Sequence, residues 1–142
     1  MTTVEDKQSM IDSAQRTFDT EVKGLVALRQ RIDHQFARAI DLLLNIEGRV
    51  VVTGMGKSGH VGNKIAATLA STGTPALFVH PGEACHGDMG MITKADAVIL
   101  LSNSGSTNEI TALLPLLKRL GVPLIAMTGQ SDSVLAEPPM CT

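Results

Sequence analysis

Apolar residues follow two different rhythms along this chain. Between residues 4 and 46 they fall at Ile11, Ala14, Phe18, Val22, Leu25, Leu28, Ile32, Phe36, Ile40 and Leu43. Gaps of three and four place them on one helical stripe, and the spacing predicts two helices broken near Gly24 or Asp33. From Gly48 the rhythm changes to short continuous apolar runs at 49–53, 76–80, 97–102 and 123–128. Such runs read as strands covered on both faces. Helical stretches at 59–70 and 107–120 separate them, with a Gly-rich segment at 81–92. Strand alternating with helix predicts an α/β fold, a three-layer, doubly wound parallel sheet with right-handed crossovers. The N-terminal helices that precede it would cover the sheet or meet a second subunit.

Three of the expected strands run into small polar loops: Thr53-Gly54, Ser102-Asn103-Ser104-Gly105 and Thr128-Gly129. These gather at the carboxyl edge of a parallel sheet, where open α/β folds bind ligands. The first loop, Gly54-Met55-Gly56-Lys57-Ser58-Gly59-His60, turns from a β-branched run into a helix. Glycines there let backbone N–H groups approach an anion, and the helix N-terminus adds partial positive charge. It reads as a phosphate cradle with Lys57 on its rim, or more plainly as a tight turn with a solvated lysine. Hydroxyls and amides of the second loop, Ser102 to Thr107, suit a terminal phosphate. Ser106-x-x-Glu109 is also a capping-box pattern, so Glu109 has a structural reading beside a catalytic one.

Other motifs count for less. Gly54-x-Gly56-x-x-Gly59 matches a dinucleotide fingerprint in form, but no carboxylate ends the second strand, where Phe78-Val79-His80-Pro81 stands. Gly56-Lys57-Ser58 resembles the end of a P-loop, yet Val51 occupies the position of the required earlier glycine. His80, Glu83, Cys85, His86 and Asp88 offer zinc-ligand types at a spacing that fits no closed structural site. A polar substrate contact suits His86 better.

Size and composition narrow the class. The 142 residues allow one domain. Aromatics are 2% of the chain and Trp and Tyr are absent, so the core is aliphatic, with Met as filling. A net charge of −2 leaves no basic footprint for nucleic acid. Two cysteines are too few for a disulfide framework, and no signal segment or membrane-length apolar run is visible. The expectation is a cytoplasmic protein without a membrane or nucleic-acid partner.

Taken together, Gly54–His60, Ala70-Ser71-Thr72-Gly73-Thr74-Pro75, His80-Pro81-Gly82-Glu83-Ala84, His86-Gly87-Asp88-Met89-Gly90 and Ser102–Gly105 resemble the sugar isomerase (SIS) domain of the arabinose 5-phosphate isomerase family. The resemblance covers about residues 48–135 and implies a flavodoxin-like or Rossmann-like sheet. It implies an aldose–ketose isomerase that interconverts ribulose 5-phosphate and arabinose 5-phosphate through an enediolate, feeding Kdo and lipopolysaccharide synthesis. Lys57 and Glu109 match catalytically important residues of the family. Gly56, Ser58, Gly73, Thr74 and His86 match substrate contacts, and Ser102, Asn103, Ser104, Gly105 and Thr107 match the phosphate site. No cofactor is required; His80 matches a position that takes zinc in relatives. The expected partners are a phosphosugar and further copies of the chain, a tetramer in the family. The alternatives are a non-catalytic phosphosugar-binding SIS module and another phosphosugar isomerase.

The resemblance implies a helical segment over 1–47, an incomplete SIS domain over 48–136 and an aberrant tail over 137–142, with the family's CBS domains absent. A one-base deletion converts a family-like Glu-Ala-Ala-Asp-Val-His-Leu into the observed Glu137-Pro138-Pro139-Met140-Cys141-Thr142 and a stop. The expectation is a frameshifted chain, with a sheet edge left uncovered, that is poorly soluble or inactive alone.

Overall fold

The computed structural model describes residues 3–85 and 87–137. His86 and the tail over 138–142 lie outside the described residues, as does the Cys85 side chain. The chain divides into two compact units, residues 1–38 and 39–142.

The first unit is dominated by α1 (Val4–Arg29), opened by a capping box in which Thr3 and Asp6 satisfy each other's backbone N–H groups. The helix runs unbroken through Gly24. The break falls at Gln30–Asp33 instead, where the Asp33 carboxylate accepts from the Gln35 N–H at 2.9 Å and starts α2 (His34–Leu44). A local cap decides between the two breaks that the apolar spacing left open.

In the second unit, β1 (Val50–Gly54), β2 (Ala76–Phe78), β3 (Ala97–Ser102) and β4 (Leu124–Thr128) form one parallel sheet in the order β2-β1-β3-β4. α3 (Gly56–Ser71) links β1 to β2, and its Ile65, Ala66 and Leu69 pack with Val50, Val52, Ile99 and Leu101 on one face. Leu43 and Ile46 join that layer, so the compact unit begins at Ala39, ahead of the change in apolar rhythm at 48. The other face carries Val51, Val98 and Leu100 under α4 (Pro81–Cys85), α5 (Asn108–Thr111) and α6 (Leu114–Leu120), through Ala84, Ile110, Leu113 and Leu117. This is the three-layer α/β sandwich expected from the alternating pattern.

Two stretches differ from the sequence expectation. The helix expected over 107–120 is split, because Pro115 in the first turn of α6 has no N–H to return to the Thr111 carbonyl. The Gly-rich segment at 81–92 is not plain loop: it holds α4 and a 3₁₀ turn over Asp88–Met91.

Candidate functional site

The winding of the sheet locates the site before any side chain does. α3 packs on one face and α6 on the other, because the chain leaves β1 and β3 in opposite lateral directions. The order therefore reverses between β1 and β3, and a crevice opens there at the carboxyl ends of the strands. In register, Gly54 sits beside Leu101, and Ser102 beside Thr128. The loops after β1, β3 and β4 thus leave the same edge of the sheet.

On the β1 side, Met55 is the N-cap of α3 and supplies no side-chain hydrogen bond. The first-turn N–H groups of this 16-residue helix are left for a ligand or water. Gly56 has φ +53°, the left-handed region that favours glycine. A Cβ on Gly59 would stand 2.7 Å from the Gly54 carbonyl oxygen, so glycine lets the helix start directly over the strand end. Lys57 is exposed on this first turn, and Ser58 is half-buried.

On the β3 side, the loop is braced from beneath. Ser102, 3% exposed, shares a 2.8 Å hydrogen bond with Thr107, and its hydroxyl accepts from the Gly105 N–H at 3.1 Å. Gly105 has φ +64°, and a Cβ there would collide with Ser133 and Thr128. The Gly129 N–H donates to the Asn103 carbonyl at 3.0 Å, and the Leu135 N–H donates to the Gly105 carbonyl at 3.1 Å. Asn103 and Ser104 stay exposed at the top, and Ser106 donates its N–H to the Ser104 hydroxyl. Residues 128–135 are therefore part of the loop's support. The sequence signal for that was weak: Ser133 and Leu135 are buried outside any apolar run.

The capping box suggested by Ser106 and Glu109 does not form. Thr107 is the N-cap of α5, makes no side-chain cap, and spends its hydroxyl on Ser102. Glu109 is exposed on the first turn of α5. The ion pairs among the described residues are His34–Asp33 and Arg49–Asp96, and neither Lys57 nor Glu109 enters one. Lys57 and Glu109 thus stand on the first turns of the helices that follow two adjacent strands, β1 and β3, at the carboxyl edge of the sheet.

Gly73 and Thr74 are placed elsewhere. α3 runs back across the sheet, about 24 Å for 16 residues, and delivers them to the amino edge just before β2. There the Thr74 N–H donates to the Leu69 carbonyl, and the neighbouring Pro75 carbonyl accepts from the Val50 N–H at 2.9 Å. One chain does not bring this pair to the Lys57 loop. His80 is exposed at the end of β2, and its Nδ1 accepts from the Gly82 N–H at 3.2 Å, capping α4. Among the described residues no group of three His, Cys, Asp or Glu side chains could hold a metal.

The comparisons with known proteins agree with this fold. The SIS domain family matches residues 43–142. An arabinose 5-phosphate isomerase from Pseudomonas aeruginosa PAO1 is 65% identical over 127 residues, 89% of this chain and 39% of that protein. The enzyme of the same name from Escherichia coli K12 is 59% identical over 116 residues, 82% of this chain and 35% of its own length. The chain thus spans under two-fifths of the curated relatives it matches here. Among solved structures, an E. coli CFT073 protein in complex with arabinose 5-phosphate superimposes with a TM-score of 0.86 at 46% identity, covering 91% of this chain and 69% of that one.

Proposed function

The chain belongs to the SIS domain family, and we propose that its β1–β3 crevice binds a phosphosugar and isomerises it between aldose and ketose. The substrate pair is D-arabinose 5-phosphate and D-ribulose 5-phosphate, the reaction in the names of its relatives. The observation that carries this reading is the meeting of the Gly54–Ser58 and Ser102–Thr107 loops at the point where strand order reverses.

The Ser102–Thr107 loop receives the phosphate with exposed amides and hydroxyls, already braced by Thr128 to Leu135. The reacting carbons of the open-chain sugar then point towards Lys57 and Glu109. A carboxylate moves the proton between C1 and C2, and the ammonium stabilises the enediolate oxygen as it charges. Lys57 takes the ammonium role and Glu109 the carboxylate role in this reading, with Gly56 and Ser58 beside the lysine on the first turn of α3. Gly73 and Thr74, at the opposite edge, contribute only if supplied by another copy. In the cell the reaction supplies a Kdo precursor for lipopolysaccharide in the cytoplasm, and the chain acts as a homo-oligomer. No helix among the described residues is long and apolar enough to cross a membrane.

The test is an isomerisation assay beside a phosphosugar titration. Lys57→Ala and Glu109→Ala should each lower turnover about 10²-fold or more while leaving phosphosugar binding within a few-fold. Binding without conversion by the unmodified chain would favour the phosphosugar-binding module instead. Neither binding nor conversion would overturn both readings.

A further inference from the structure

α1 carries an apolar residue every seven positions, at Val4, Ile11, Phe18 and Leu25. A seven-residue repeat keeps one seam facing a partner along a supercoiled helix pair. Lys7, Ala14, Glu21 and Leu28 complete the seam at the alternate positions. No residue of this 26-residue helix is buried, and Val4, Ile11, Phe18, Leu25 and Leu28 are 51–82% exposed. A seam about 39 Å long, with five large apolar side chains in water, is a surface built to be covered.

We infer that α1 pairs antiparallel with α1 of a second copy, about a two-fold axis at Ala14. This rests on the homo-oligomer reading above and names its surface. Three features of the sequence select this occupant and this direction. Crossing at Ala14, the smallest seam residue, lets the backbones approach, and sets Ile11 beside Phe18 and Val4 beside Leu25 of the second copy. The same register brings Lys7 to Glu21 of the second copy, twice by symmetry; a parallel pair would set Lys7 on Lys7 and Glu21 on Glu21. The helix as a whole is also split in charge. Five of the seven charged residues over 5–21 are acids, whereas Lys23 and Arg29 stand alone over 22–29. Antiparallel packing about Ala14 lays the end of the helix that holds Lys23 along the acidic first turn of the second copy, Glu5 and Asp6.

The test uses the full chain and sedimentation across a concentration series. Phe18→Asp, at an exposed position that folding does not need, should abolish the association. Lys7→Glu and Glu21→Lys should each weaken it about fivefold, and the double variant Lys7→Glu/Glu21→Lys should return it to within about twofold of the unmodified chain. The two positions are two full heptads apart on one helix, so such rescue cannot be intramolecular. Association that survives Phe18→Asp, or single charge reversals without rescue, would overturn the antiparallel seam and leave the homo-oligomer reading standing. A chain that stays monomeric at every concentration would overturn both.

Discussion

Asp96 is 2% exposed at the amino end of β3 and still charged. Burial alone raises its pKa, but the N–H groups of Thr93 and Arg49, the Thr93 hydroxyl and the Arg49 side chain outweigh burial and hold it below its ordinary value. Arg49 also donates to the Met91 carbonyl at 2.6 Å, which ties the Asp88–Met91 turn to the sheet. Asp96→Asn should cost about 2 kcal/mol at neutral pH, measured by denaturant unfolding. The folded carboxyl titrates below the ordinary 3.8, so its contribution is complete above about that pH and is lost as pH falls through the lower folded value. The gap between the two chains should therefore close below about pH 4. Thr53 is the opposite case: it is 2% exposed and its hydroxyl has no hydrogen-bond partner among the described residues. Thr53→Val removes an unsatisfied polar atom and keeps the shape, so the midpoint of unfolding should stay level or rise. At this scale the sequence pointed to Lys57, Ser58 and the Ser102–Thr107 loop because glycine and hydroxyl residues mark special backbone. It gave no sign of Asp96, since its partners Arg49 and Thr93 meet it only through strand pairing and one local turn.

At the scale of elements, β3 stands at 97–102 as its apolar run indicates, and the other strands shift by one or two residues. α3 starts three residues earlier than its apolar spacing suggested, at Gly56, because the glycine loop itself forms the first turn. The junction of β1 and α3 depends on contact between Gly59 and the Gly54 carbonyl. Gly59→Ala should force the helix away from the strand, cost about 1–3 kcal/mol in thermal unfolding and weaken phosphosugar binding, because the Lys57 turn moves with it. The break between α5 and α6 and the cap at Asp33 were readable in principle, from Pro115 and from an Asp two residues before Gln35. Periodicity alone ran across the break at Pro115, which does not interrupt the apolar stripe, and left the break at Asp33 undecided against Gly24.

For the molecule as a whole, alternation of strand and helix indicated the layers, but the strand order β2-β1-β3-β4 had to come from the structure. Order is a matter of non-local pairing, and four similar aliphatic runs carry no label of their neighbours. That order is what converts two loops 48 residues apart, Gly54 and Ser102, into one crevice. Gly73 and Thr74 stand at the far edge for a different reason, because they directly precede β2 in a parallel sheet, whatever the strand order. The direct measurement is therefore a titration of the ¹⁵N-labelled full chain with D-arabinose 5-phosphate, followed residue by residue through backbone amide shifts. Saturable shifts confined to Gly54–Gly59 and Ser102–Glu109, at opposite sides of the β1–β3 junction, are the expected result. Shifts centred on the amino edge at Gly73–Ala76, or none in either carboxyl-edge loop at saturating sugar, would contradict it.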